Sequence, residues 1–491
     1  MMEPLTLSKA EILAVLPAGA LFITGLIQLM SDLGDPNKTS RQEKTHLAMI
    51  GATGALVALA SLFVQGTAAS TGELYAGAMT DDLFGRLGAG VIIVTSLFCT
   101  LMAGGYLSSS GNNRAEFHAL VSFSAGAMVL LCQSTNLVSM FVAIETLSLA
   151  VYVLAGFFRQ QKAASEGAFK YFVMGAFSSG FLLLGMAIIY GLSGASLSFS
   201  DIAAAGASDD ALFAVGALLV LIGFAFKVGV VPFHSWVPDV YQGAPTLAVG
   251  WMAVAVKASS FFALCRFLYH TGGGAYMDQI LIALSIVTMI LGNLAALNQQ
   301  SLKRMLAYSG IAHSGYLMIP LIVALSGDDI LIGASLPFYL CAYAGTTLAA
   351  FGVLTALSKA TDKDQLGDLN GLAKSRPLLA LGFTVALISL AGIPLTAGFI
   401  GKLMIFSDAI GAGFVQLAVI GILTSLVSVY YYLRPIVAMW FRDPRSSFDL
   451  IPAPWGVQFT VGACGIATIV FGIFPDWLIE LSRISVETIL G

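Results

Sequence analysis

The sequence predicts an all-α, polytopic membrane protein of about fourteen transmembrane helices, and three observations lead there. Of 491 residues, 58% are hydrophobic and only 10% are charged. Mean hydropathy is +0.89, whereas soluble globular chains carry about 25% charged residues. The apolar residues fall into long runs, and a helix needs about 20 mostly apolar residues to cross a bilayer. The charges between those runs alternate in sign along the chain.

Taken in order, the cores of the runs lie at 11–30, 47–66, 83–106, 115–132, 136–158, 166–192, 211–232, 247–269, 278–297, 304–325, 330–358, 377–407, 412–440 and 458–481. The first lacks a basic leader and a small-residue cleavage site, so it reads as a first span, not a cleaved signal. The seventh and twelfth contain helix breakers. Connections are short, which predicts a single transmembrane domain over 1–491, without a separate soluble unit. Basic residues follow the odd spans: Lys38, Arg41 and Lys44; Arg114; Arg159 and Lys162; Lys303 and Arg304; Lys359, Lys363, Lys374 and Arg376; Arg442 and Arg445. Acids follow the even ones: Glu73, Asp81 and Asp82; Asp201, Asp209 and Asp210; Asp278; Asp328 and Asp329; Asp408. The positive-inside rule puts the odd loops in the cytoplasm and both termini on the opposite side. Arg86 and Arg266, near the outer ends of their helices, go against this pattern. The polar loop 359–376 is expected to lie flat on the cytoplasmic face or to touch a partner there.

Several function classes drop out. Net charge is -4 and basic residues form no long runs, so nucleic-acid binding has no support. Cys99, Cys132, Cys265, Cys341 and Cys464 are scattered through apolar segments, away from metal-ligand or redox spacing. No phosphate-binding or dinucleotide-binding glycine motif is present. Abundant glycine suits close packing of membrane helices.

Four charges lie well inside spans: Glu145, Lys227, Lys257 and Lys402. A charge at the centre of a membrane helix costs at least about 2.5–3.5 kcal/mol. One acid cannot neutralise three lysines by fixed pairing. Desolvation disfavours the charged form of an ammonium, and groups that exchange protons near neutral pH are what a proton relay requires. A packing pair remains an alternative for Glu145. Lys170 has two readings, an ordinary i,i+4 pair with Glu166 or a functional lysine. His234, His313 and Tyr308 are candidate relays, although either histidine could simply cap a carbonyl freed by a helix break. Asp239 and Asp408 read as interfacial.

The breaks in spans 7 and 12 are "KVGVVPFHSWVPD" and "LAGIPLTAGFIGK". Each places a proline near a lysine, five spans apart. Paired breaks in matching halves indicate an inverted-repeat architecture with its site at the breaks. The predicted division is an N-terminal three-helix segment 1–112, a first repeat 113–270 (spans 4–8), an inverted second repeat 276–441 (spans 9–13) and a C-terminal helix 442–491.

With "FKVGVVPFHSWVPDVYQGAPT", Glu145, Lys257, "LKRMLAYSGIAHSGYLM" and "AGIPLTAGFIGK", the chain resembles the antiporter-like subunits of respiratory complex I over nearly its whole length. The "PDVYQGAPT" wording, Lys402 where a sister branch carries glutamate, and the lack of room for a lateral helix after span 14 place it nearest the subunit N branch. That branch is subunit 2 in mitochondria. Mrp-type Na+/H+ antiporter subunits share the "PFH-W-P-D" core and are the alternative, though three lysines and one acid make a poor cation path. The resemblance implies proton translocation in a bacterial inner membrane, as part of NADH:ubiquinone oxidoreductase, with no redox site in this chain. NADH, FMN, iron–sulfur clusters and quinone would belong to partner subunits. Expected neighbours are sister antiporter-like subunits, small membrane subunits and lipids. It also implies residue roles: Glu145 and Lys227 as a modulating ion pair, Lys257 as central carrier, Lys402 as terminal carrier, and Lys170 as a functional lysine.

Overall fold

The computed structural model describes residues 8–33, 45–64, 70–205, 210–326, 334–357, 364–444 and 453–489. The loop charges Lys38, Arg41, Lys44, Asp209, Asp328, Asp329, Lys359, Lys363 and Arg445 lie outside these. Keeping the sequence numbering, span 1 is Lys9–Leu33, span 2 Thr45–Val64, span 3 Leu83–Ser110, span 4 Ala115–Gln133, span 5 Leu137–Ala155 and span 6 Lys162–Leu192. Span 7 is broken into Ala211–Val228 and Trp236–Gly243. Span 8 is Thr246–Thr271, followed by span 9 Met277–Leu297, span 10 Leu302–Ser326 and span 11 Ser335–Leu357. Span 12 is broken into Pro377–Ala391 and Ala397–Gly411, span 13 is Val415–Phe441 and span 14 is Trp455–Ile473. Thirteen described helices are long and apolar enough to cross a membrane, and the two halves of span 12 supply the fourteenth crossing.

Two elements differ from expectation. A short antiparallel hairpin, Ser70–Leu74 against Met79–Asp81, caps one face of the helix bundle. Span 14 ends at Ile473, not 481, because Pro475 breaks it. The following helix, Asp476–Glu487, is amphipathic: Leu478 is buried while Trp477 is exposed and Arg483 bonds Glu480 and Glu487 on its polar side. Such a helix suits the membrane interface. The loop at 364–375 runs along the opposite face. It bonds the start of span 10 (Leu302 N–H to Asp364 O, 2.6 Å) and the end of span 13 (Gly371 N–H to Ala438 O, 3.1 Å).

Span 8 is buried along its length, whereas only 33–39% of spans 1, 2, 6 and 13 is buried. Span 8 is not a regular α-helix. A π-helical segment, Met252–Val256, directly precedes Lys257, a local irregularity that is frequent at functional sites.

The two breaks close alike. Gly229 and Gly392 both adopt left-handed backbone (φ 73° and 80°). Val230 N–H then bonds Ala225 O at 2.8 Å, and Ile393 N–H bonds Ile388 O at 3.0 Å. This is the same Schellman closure at both sites, a conformation that favours glycine. Pro232 and Pro394 follow and prevent the helix from resuming at once.

Arg86 and Arg266, which ran against the charge pattern, are neutralised beneath the hairpin. Arg266, 1% exposed, donates to both oxygens of Asp82 at 2.6 and 2.8 Å and also to Cys132 O. Arg86 donates twice to Asp81 at 2.7 Å. Asp82 also caps span 3 through Gly85 N–H. Breaking a buried pair from one side strands a charge and costs about 3–5 kcal/mol. Asp82→Ala should therefore lower the thermal unfolding midpoint of the detergent-solubilised protein markedly. An Asp82→Leu/Arg266→Met double variant should recover much of that loss; an unchanged midpoint in Asp82→Ala would contradict this role.

Candidate buried lysine relay

Lys227, Lys257 and Lys402 are all buried, at 5%, 5% and 4% exposure, and each meets a different set of acceptors. On span 7, Lys227 does not turn to the carbonyls freed by its own break. Those are taken by Trp236 Nε1–H, to Phe226 O at 3.0 Å, and by Ser314 Oγ–H, to Val228 O at 2.5 Å. Lys227 Nζ instead donates across to span 5, to Ser148 Oγ at 2.6 Å and Tyr152 OH at 3.1 Å. At the second break the lysine itself caps the open helix end. Lys402 Nζ donates to Leu390 O at 2.9 Å, Ala391 O at 3.2 Å and Ser425 Oγ at 2.8 Å. Lys257 donates to Gly310 O on span 10.

Glu145 is half-buried and accepts from Ser179 Oγ on span 6 at 2.5 Å. It forms no direct ion pair with Lys227: Ser148, one turn further along span 5, receives the lysine. A small internal cavity of about 10 Å³ is lined by both Lys227 and Lys257, on the scale of a single water.

Span 10 joins Lys257 to Lys402. His313 bonds Tyr339 OH through Nδ1 at 2.7 Å and Tyr432 OH through Nε2 at 3.2 Å, and Tyr432 also bonds Ser309. The His313 ring lies 5.2 Å from that of Tyr343 and 5.7 Å from that of Tyr316, centroid to centroid. Lys257 Nζ stands 5.1 Å from the Tyr343 centroid, and Lys402 Nζ 5.2 Å from the Tyr316 centroid. Tyr343, His313 and Tyr316 thus form a run of ring contacts between the two lysines. Asn293 and Tyr431 extend it sideways, with Asn293 Nδ2–H donating to Tyr316 OH at 3.0 Å.

A larger cavity of about 960 Å³ opens on the face opposite the hairpin. Arg114, Arg159 and Lys162 line it, and its inner end reaches Tyr152, the residue that receives Lys227.

The remaining candidates stand apart. Lys170 is 43% exposed and bonds Glu166 at 2.8 Å and Asp239 at 3.0 Å, and Asp239 also takes Arg304. This ion-pair network lies outside the buried chain. His234 lies half-buried in the break, and its Nδ1 has no partner among the described residues. Tyr308 is half-buried and joins no side-chain hydrogen bond among the described residues. Reading charges alone missed Ser148, Tyr152, Ser425, Tyr316, Tyr343 and Tyr432. Spacing could have found some of them: Ser148 and Tyr152 follow Glu145 at i+3 and i+7, on one helical face.

Residues 134–428 match the family described as NADH:quinone oxidoreductase/Mrp antiporter, transmembrane. The NADH-quinone oxidoreductase subunit N of Trichlorobacter lovleyi is 36% identical over 483 residues, covering 97% of each chain. A chain in the structure of respiratory complex I from Thermus thermophilus with bound aureothin superposes with a TM-score of 0.80 at 34% identity, covering 94% of this chain and 98% of that one. A chain of the Mrp complex from Dietzia superposes at 0.82 but is only 20% identical, over 98% of this chain and 99% of that one, so it shows a shared fold alone. The chain belongs to the NADH-quinone oxidoreductase subunit N family of antiporter-like, multi-pass membrane proteins.

Proposed function

We propose that this subunit carries protons along the buried chain Lys227–Lys257–His313–Lys402, under the control of Glu145, as part of the membrane arm of NADH:quinone oxidoreductase. The observation that carries the reading is the run of Tyr343, His313 and Tyr316 between two enclosed lysines.

Protons are taken up from the large cavity. Its basic rim belongs to the odd-loop face, which loop charge places in the cytoplasm, leaving both termini in the periplasm. From Tyr152 the proton passes to Lys227, across the small cavity to Lys257, and along span 10 to Lys402. At an effective dielectric near 20, moving a unit charge from about 4 to about 8 Å changes an interaction by about 2 kcal/mol. This alters a protonation equilibrium roughly thirtyfold. Glu145 lies one turn before Ser148, the acceptor of Lys227, and is suited to such control if a neighbouring subunit shifts the acid. Lys170, within a surface ion-pair network, acts at that boundary and not in the chain.

The matching Schellman breaks support the division into an N-terminal segment 1–112, inverted repeats 113–270 and 276–441, and a C-terminal part 442–491. NADH and quinone, which the relatives' names mention, are assigned to partner subunits, and so are FMN and the iron–sulfur clusters. The partners are the sister antiporter-like and small membrane subunits of the arm, with lipid against the remaining apolar surface.

Lys257→Ala and Glu145→Ala should each reduce proton pumping severalfold in membrane vesicles while the complex still assembles. Pumping and electron transfer at wild-type levels in both variants would contradict the proposed roles. Val153→Cys, on the cavity wall, should react with a water-soluble maleimide in inside-out vesicles and not in right-side-out ones, with Thr346→Cys, buried at 1% exposure, unreactive in both. Labelling from the opposite side would overturn the assigned sidedness.

A further inference from the structure

We infer that Asp408 is the group that accepts the proton at the Lys402 end of the chain and hands it to water on the hairpin face. The inference rests on the relay proposed above. Loop charge alone marked Asp408 as interfacial, but the structure draws its carboxyl inward: Oδ2 is buried and has no hydrogen-bond partner among the described residues. An unpartnered buried carboxyl oxygen is costly, and a native exception of this kind calls for a functional explanation. Asp408 sits on the second half of span 12, six residues beyond Lys402, or about 9 Å along the helix axis. It lies toward the hairpin face. The group that approaches the carboxyl is the hydroxyl of fully buried Ser335 at the start of span 11, which interacts with it from outside strict hydrogen-bond geometry. No lysine or arginine of the described residues forms an ion pair with Asp408, so its carboxylate is free to take a proton.

On the same face, beneath the hairpin, the acids beside spans 3 and 8 are already committed. There Asp81 and Asp82 are each held by two hydrogen bonds from a guanidinium. A proton approaching them meets two fixed cations. The asymmetry directs release to the second half. The transfer balances simply: the Lys402 ammonium loses a proton and becomes the neutral amine, while the Asp408 carboxylate becomes the carboxylic acid. The acid then loses that proton to water and the carboxylate is restored. Lys402 Nζ is held at the break by Leu390 O, Ala391 O and Ser425 Oγ, so the transfer to Asp408 runs through water between the two groups.

The test uses the assembled complex in membrane vesicles and reads protons pumped per electron pair for Asp408→Asn, Asp408→Glu and Lys402→Ala. Asp408→Asn preserves shape and removes titration; Asp408→Glu preserves titration and disturbs shape. The expected pattern is a severalfold loss in Asp408→Asn, recovery close to wild type in Asp408→Glu, and a loss in Lys402→Ala. Loss in Lys402→Ala with wild-type pumping in Asp408→Asn overturns this inference and leaves the relay standing. Equal losses in Asp408→Asn and Asp408→Glu assign the residue a structural role and also overturn it. Wild-type pumping in Lys402→Ala removes the relay on which it rests.

Discussion

An ammonium buried between membrane helices has three N–H donors and no bulk water to receive them. Neighbouring helices must supply oxygen atoms, and they do so differently at each lysine. Span 5 supplies two hydroxyls to Lys227. Span 10 supplies a carbonyl to Lys257. The break in span 12 supplies two carbonyls, and span 13 a hydroxyl, to Lys402. Much of the internal architecture follows from this need. Span 12 opens where Lys402 requires acceptors, and span 8 leaves α-helical geometry just before Lys257.

The same demand makes span 10 central. It gives Lys257 its carbonyl through Gly310, closes the span 7 break through Ser314 and holds His313 between two tyrosine hydroxyls. Its buried face is polar over a stretch where a membrane helix would ordinarily be apolar. That polarity connects the two broken helices, so a change of charge at one lysine is felt at the next through low-dielectric packing instead of screening water.

The membrane class, the fourteen crossings, the two breaks and the buried charges were legible from the chain because each is a local property: apolar run length, loop charge, or proline and glycine beside a lysine. Partners across helices were not. Nothing near Lys227 in sequence points to Ser148 or Tyr152, 79 and 75 residues away. Nor did the chain show that Trp236 and Ser314 take the carbonyls freed by the span 7 break. Arg266 looked like an exception to the charge rule because Asp82, 184 residues distant, neutralises it only in the folded protein. The hairpin escaped notice because short strands between long apolar runs read as loop.

The central claim is that the lysines form one connected chain and do not act as separate sites. His313→Leu addresses it most directly, because the change removes the link between Lys257 and Lys402 and leaves both lysines in place. Measured as protons pumped per electron pair in vesicles containing the assembled complex, the account predicts a severalfold loss in His313→Leu with both lysines intact. Wild-type stoichiometry in that variant would contradict it.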